Sequence, residues 1–142
     1  MRLPLHGITS IESFLKNSDF EYVVVCDIAD YYSKILHQNL KRELECIDTT
    51  GETSQKISRI LKKFSGANLH GLPIGGPAAR ILAELILSNT DTALQNSNIV
   101  FSRFVDDIHL FAKTRDDAHS QLYFLSTILM KNEGLTLQKH KT

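Results

Sequence analysis

The sequence predicts an α+β domain, an antiparallel sheet with helices packed on one face. Three observations carry that expectation. Residues 20–26, 99–104 and 108–112 are short runs rich in β-branched and aromatic side chains, the length and chemistry of strands. Longer stretches between and after them carry apolar residues at helical spacing. The second and third runs are separated only by Val105, Asp106 and Asp107, a tight connection that makes them a hairpin and therefore antiparallel.

Each element follows from local signals. Thr9 and Glu12 form a capping box ahead of a short helix with Ile11, Phe14 and Leu15. Residues 20–26 read as a buried strand that ends at Asp27. Ile35, Leu36, Leu40, Leu44 and Ile47 recur at helical spacing and predict one amphipathic helix over residues 31–46. A polar break around Gly51 leads to a second helix with Ile57, Ile60, Leu61 and Phe64, closed by Gly66. Gly71-Leu-Pro-Ile-Gly-Gly-Pro77 can be neither helix nor regular strand, and Pro77 suits the first turn of the long helix that follows. That helix carries Ile81, Leu82, Leu85, Ile86 and Leu94 along one side and ends at Asn96 and Ser97. After the hairpin, residues 115–132 form a last helix with Leu122, Leu125, Ile128 and Leu129 inward and Gly134 as its cap. Asp116 and Asp117 fall at its start, where acids favour the helix dipole. Residues 135–137 predict a final short strand.

At 142 residues the chain has room for one domain, 1–142, with a real core. Its 42% hydrophobic and 23% charged residues exclude a disordered tail or a collagen-like repeat. Sixteen Lys and Arg balance sixteen Asp and Glu, so nucleic acid would have to be held by a local patch or through bound metal. Cys26 and Cys46 lack the number and spacing of a disulfide framework or a zinc site, which predicts a reduced, cytoplasmic setting. Pro4, His6 and Glu12 interrupt any signal-like block, and the longest purely apolar run, residues 23–26, is far below bilayer length.

Three acids stand out by position. Asp27 ends an apolar strand, and Asp106 and Asp107 sit at a hairpin tip between two apolar strands. If the strands are neighbours, the three carboxylates meet at one edge and repel unless cations lie between them. Two divalent ions held this way support in-line nucleotidyl transfer, and hard oxygen ligands in an open site favour Mg²⁺. Taken alone, an Asp-Asp pair at a hairpin is usually just a turn, because Asp tolerates turn geometry.

Four segments, in order, resemble the palm domain of reverse transcriptases. Val23-Val-Val-Cys-Asp27-Ile-Ala-Asp-Tyr-Tyr32 resembles the family's first catalytic motif, a strand ending in Asp followed by an aromatic pair. Gly71-Leu-Pro-Ile-Gly-Gly-Pro77 and its helix resemble the second, Phe104-Val-Asp-Asp107 the third, and Gly134-Leu-Thr-Leu-Gln-Lys-His-Lys-Thr142 the fourth. The forms Arg103-Phe-Val-Asp-Asp-Ile108 and Gly-Leu-Pro-Ile-Gly-Gly-Pro-Ala-Ala-Arg80 are similar to the bacterial branch of retron, group II intron and defence-associated enzymes.

The resemblance implies a polymerase palm with a ferredoxin-like or RRM-like core, and roles for the matched residues. Asp27, Asp106 and Asp107 would be the catalytic, metal-holding acids for two Mg²⁺ ions, with Mn²⁺ as a substitute. Tyr32 would be the steric gate against a ribose 2′-OH. Gly75 and Gly76 would let backbone approach the nucleotide, and Lys141 would lie near its phosphates or donate a proton. RNA template, DNA primer and dNTP are the implied partners, with fingers and thumb regions supplied in cis or in trans. Few residues precede the first motif or follow the fourth, so the chain is expected to be the palm alone and to polymerise little by itself. Ile74 stands where many members have Gln, removing a polar contact to the nucleotide sugar, and Phe104 replaces a Tyr with loss of a hydroxyl only. A non-catalytic palm remnant used for assembly, and another palm-type enzyme such as a nucleotide cyclase, are the competing functions. The intact acids argue against the first, and Tyr32 with the Gly-Leu-Pro loop against the second. Lys56, Arg59 and Lys63 read as a solvated basic face, and His109 as a packed or edge histidine.

Overall fold

The computed structural model describes residues 19–73 and 76–138. The capping box at Thr9 and the helix after it, and Ile74, Gly75 and Lys141, lie outside the described residues. Among those described, the order is β1 (Tyr22–Asp27), α1 (Tyr31–Lys34), α2 (His37–Ile47), α3 (Glu52–Ser65), α4 (Pro77–Asn96), β2 (Val100–Phe104), β3 (Asp107–Ala112) and α5 (Arg115–Glu133). The strands form one antiparallel sheet in the order β1-β3-β2, so β3 is central. The α+β class and the hairpin stand as the sequence predicts.

Alternation along the strands gives the sheet two faces. Val24 and Cys26 of β1, Phe101 and Arg103 of β2, and Ile108 and Leu110 of β3 share one face through the pairs Cys26↔Ile108, Val24↔Leu110, Arg103↔Ile108 and Phe101↔Leu110. The apolar members of that face join Ile86, Leu87 and Leu94 of α4 and Leu125 and Leu129 of α5 in one core. Truncating a fully buried leucine such as Leu125 is worth about 2–5 kcal/mol. On the other face Val25 is 57% exposed, so β1 is not the doubly buried strand its apolar run suggests.

The single helix predicted over residues 31–46 is two helices. Ile35 and Leu36 are extended between them. Leu36 pairs instead with His70, the His37 N–H donates to Leu69 O, and the Gly71 N–H donates to Ile35 O. The His70 ring donates to Ser33 O, the carbonyl that His37 N–H would otherwise take in a continuous helix. Backbone groups needed for helix have thus been drawn away by residues 69–71, a long-range competition that periodicity cannot report.

Two further expectations are corrected. Ile60 and Phe64 of α3 and Ile81 of α4 are exposed rather than inward. Ile60 and Ile81, with Ile57, Leu61 and Leu82, border an apolar groove of about 320 Å³ between α3 and α4. Residues 135–137 form no strand; Leu137 makes a single bridge to Ile28. That segment still holds the end of β1, through Ala29 N–H to Thr136 O at 2.9 Å and Gln138 N–H to Asp27 O at 2.6 Å.

Candidate metal centre

Asp27 is the last residue of β1 and Asp107 the first of β3, and the register pairs them directly across the ladder. Cross-strand partners lie on the same face, so the two carboxylates are forced together. Asp106 comes from the turn itself, where Val105 and Asp106 alone connect Phe104 to Asp107. The Ile28 N–H donates to Asp106 O at 3.3 Å, tying the turn to the end of β1. Carboxylate oxygens of Asp27, Asp106 and Asp107 all lie within 4.8 Å of one another. The sequence-level expectation that a strand end and a distant hairpin tip meet at one edge holds.

The turn is strained. Val105 has φ 56, the left-handed region, while Asp106 does not. A positive φ at the first of two loop residues is the hairpin geometry that usually places glycine there, and a β-branched side chain resists it.

Burial, first, raises the Asp106 carboxyl above the ordinary range, and a hydrogen bond to Asp27 together with its charge adds to the effect. The other Asp27 oxygen, Oδ1, is buried with no hydrogen-bond partner. Three clustered oxygen donors, one of them buried and unsatisfied, fit a hard divalent cation. The site is open on one side, where Asp107 is exposed.

A family model described as reverse transcriptase (RNA-dependent DNA polymerase) matches residues 2–142. The chain belongs to the reverse transcriptase family. No curated protein matches the chain. Members of the family are RNA-dependent DNA polymerases and use divalent metals, and the aspartate cluster of this reverse transcriptase domain can hold one.

The other sequence-predicted residues are spread over α1, α3, α4, β3 and α5. Tyr32 is half-buried on α1, its ring edge-on to Tyr31 at 5.7 Å between centroids. The Tyr31 hydroxyl donates to Ala83 O of α4. The Tyr32 carbonyl accepts from Leu72 N–H at 2.8 Å, so the reverse transcriptase domain brings Tyr32 and the Gly-Leu-Pro loop together. Gly76 caps α4 with φ 84, and no heavy atom lies within 4 Å of where a Cβ would stand. Its backbone faces open space. His109 is half-buried between Val25 and Ser102 and belongs to no metal-ligating group among the described residues. Lys56, Arg59 and Lys63 are exposed, Lys56 pairing with Glu52 at 3.0 Å. At α5 the cap is Thr114, whose hydroxyl accepts from Asp117 N–H, with Asp116 and Asp117 in the first turn. Cys26 is buried, and burial first and then Asp27 push its thiol up to about 12, an unreactive state.

One residue beside the site carries more than its place in a motif suggested. Arg103 is 2% exposed under the hairpin, bonded to Asp91 and Glu84 of α4. Burial works against its charge, but bonds to Asp91 and Glu84 more than offset this and raise its pKa. The available signal was a charged residue at a core-facing position of β2, together with two acids seven apart on an apolar helix.

Proposed function

We propose that the described residues are the palm of an RNA-directed DNA polymerase. It would transfer dNTPs to the 3′-OH of a DNA primer on an RNA template, with Asp27, Asp106 and Asp107 holding two Mg²⁺ ions or Mn²⁺ in their place. The observation that carries this reading is the convergence of three carboxylates from two β-elements, within 4.8 Å, in a reverse transcriptase domain. When bound, such ions activate the primer hydroxyl and offset the charge of the departing pyrophosphate.

The chain's own groups have separable tasks. Asp27 and Asp106 present oxygens to the cation, Asp27 with its buried, unpartnered Oδ1. Asp107, exposed, completes the acidic rim. Tyr32, braced by Tyr31, sets a bulky ring where a ribose 2′-OH would collide. Gly75 and Gly76 leave backbone bare for the nucleotide, and Lys141 neutralises its phosphates or donates a proton. Fingers and thumb, in cis or in trans, supply the remaining grip on template and primer. The motif forms around Arg80 and Arg103 support a bacterial retron, group II intron or defence-associated lineage, with a possible antiviral role in the last case. No described helix is long and apolar enough to cross a membrane, and both cysteines are free, which supports a cytoplasmic setting.

Primer extension on RNA and DNA templates with Mg²⁺, in the presence of fingers and thumb, tests the reading. The unsubstituted protein should extend and the Asp106→Asn/Asp107→Asn form should not. Equal extension by both forms removes the metal assignment.

A further inference from the structure

Arg103 uses its whole guanidinium. Nε donates to Asp91 Oδ1 at 2.8 Å and Nη2 to Asp91 Oδ2 at 2.7 Å, a two-pronged fork. Nη1 and Nη2 reach Glu84 Oε1 and Oε2 at 3.1 and 2.9 Å. The last donor, on Nη1, goes to the carbonyl of Val105 at 2.7 Å. All five N–H groups of an arginine are thereby spent.

Stability is a weak reason to build such a cluster. A buried arginine with two acids gains little over apolar packing of the same volume, because desolvation offsets the attraction. The Val105 contact supplies a different reason. Val105 is the β-branched residue at φ 56, a conformation that persists only where its surroundings impose it. Asp106 and Asp107 follow it directly, so rotation of the Val105 peptide re-aims both carboxylates. The two acids that hold Arg103 sit on α4, which the core anchors through Ile86, Leu87 and Leu94.

We propose that Arg103 is a positioning residue for the metal centre: locked to α4 by Asp91 and Glu84, it clamps the Val105 carbonyl and so holds the strained turn that brings Asp106 beside Asp27. The inference rests on reading the three aspartates as metal ligands. Arg103 touches neither the carboxylates' cation nor substrate; it acts through the turn. Lysine cannot replace it, since an ammonium offers no planar fork to Asp91 while also reaching Glu84 and the carbonyl.

The strain makes the proposal separable from a merely structural role. Glycine adopts positive φ without penalty, so Val105→Gly should lessen the need for the clamp. Mn²⁺ dissociation constants, read by electron paramagnetic resonance on the full chain, and melting temperatures are measured together for Arg103→Lys, Val105→Gly, the double variant and Asp106→Asn. Arg103→Lys is expected to weaken Mn²⁺ binding about tenfold, as loss of an outer-sphere partner does. The double variant should recover several-fold of that affinity while its melting temperature stays as low as that of Arg103→Lys. Where Arg103→Lys does not fold, Glu84→Gln, which leaves the Asp91 fork intact, should show a smaller loss with the same recovery on Val105→Gly. Unchanged Mn²⁺ affinity in the folded Arg103→Lys or Glu84→Gln chain, or no recovery in the corresponding double variant, overturns the positioning role. Mn²⁺ binding by Asp106→Asn equal to that of the unsubstituted chain overturns the metal reading itself, and this inference with it. Loss in Asp106→Asn with full retention in Arg103→Lys overturns this inference alone.

Discussion

Asp27 and Asp107 face each other across β1 and β3 as direct cross-strand partners. Like charges in that position destabilise an antiparallel pair, and here a third acid, Asp106, joins them from the turn. The surrounding structure is arranged to hold rather than relieve this repulsion. Backbone bonds fix both neighbours of the cluster, Ile28 N–H to Asp106 O and Gln138 N–H to Asp27 O. A sheet edge that concentrates negative charge on fixed backbone is organised for a ligand of opposite sign, and the following consequences can be measured.

Asp106→Asn separates binding from folding. Burial and then the Asp27 contact raise its carboxyl above the ordinary range, so its charge is disfavoured where it stands. Removing its charge in metal-free buffer at neutral pH should therefore leave the melting temperature equal or higher, while Mn²⁺ affinity falls at least about tenfold. A variant that unfolds readily without metal would show Asp106 to be a structural acid instead.

Glu133, which is not part of the aspartate cluster, makes stability depend on pH. It is buried between Asn39, which donates to Oε2, and Arg42, 3.4 Å from Oε1. Burial pushes its carboxyl from 4.5 up to about 7, with Arg42 opposing and Glu43 reinforcing the shift. The folded chain thus keeps a proton that the unfolded chain loses near pH 4.5. Its contribution is complete below that pH and disappears as pH rises through about 7. Glu133→Gln should flatten this decline and be the more stable form above pH 7, by roughly 1–3 kcal/mol. Urea unfolding of both proteins at several pH values between 4.5 and 8 checks it, and parallel curves would refute it.

What the sequence made legible was chemistry held in short range. Strand ends, the hairpin (read with Asp107 in its turn, where the structure starts β3) and the acids between apolar flanks are local features, and antiparallel pairing then brings Asp27 to Asp107. What it hid depends on partners distant in the chain. The break at Ile35 and Leu36 exists because residues 69–71 capture their backbone groups. Ile60, Phe64 and Ile81 match the helical period, yet period does not say whether an opposing surface exists. Arg103 reads only as part of a motif until Asp91 and Glu84 are placed against it.

Tyr32 should govern sugar discrimination by bulk alone. Its half-buried ring stands against Tyr31, and its backbone is tied to Leu72. Tyr32→Phe keeps the ring and should leave the preference for dNTP over rNTP unchanged. Tyr32→Ala should relax that preference roughly ten- to a hundredfold, measured as the ratio of kcat/KM values in primer extension. Equal loss in both variants would assign the effect to the hydroxyl rather than to sterics.

Gly71 tests the long-range competition that splits α1 from α2. Its φ is 103, and a Cβ there would stand 3.4 Å from Ser33 O. Its N–H donates to Ile35 O at 2.8 Å, and its carbonyl accepts from the His37 ring at 2.7 Å. Alanine therefore meets an unfavourable backbone conformation, and its Cβ would come into contact with a carbonyl that the His70 ring holds in place. Gly51 offers the control, with φ 75 and nothing within 4 Å of its absent Cβ. Gly71→Ala should cost about 2–3 kcal/mol and Gly51→Ala about 1 kcal/mol in urea unfolding. The excess at Gly71 reports its wider positive φ, 103 against 75, together with the approach of residues 69–71 to Ser33. Equal losses would mean that neither the wider φ nor the approach to Ser33 adds a penalty at Gly71.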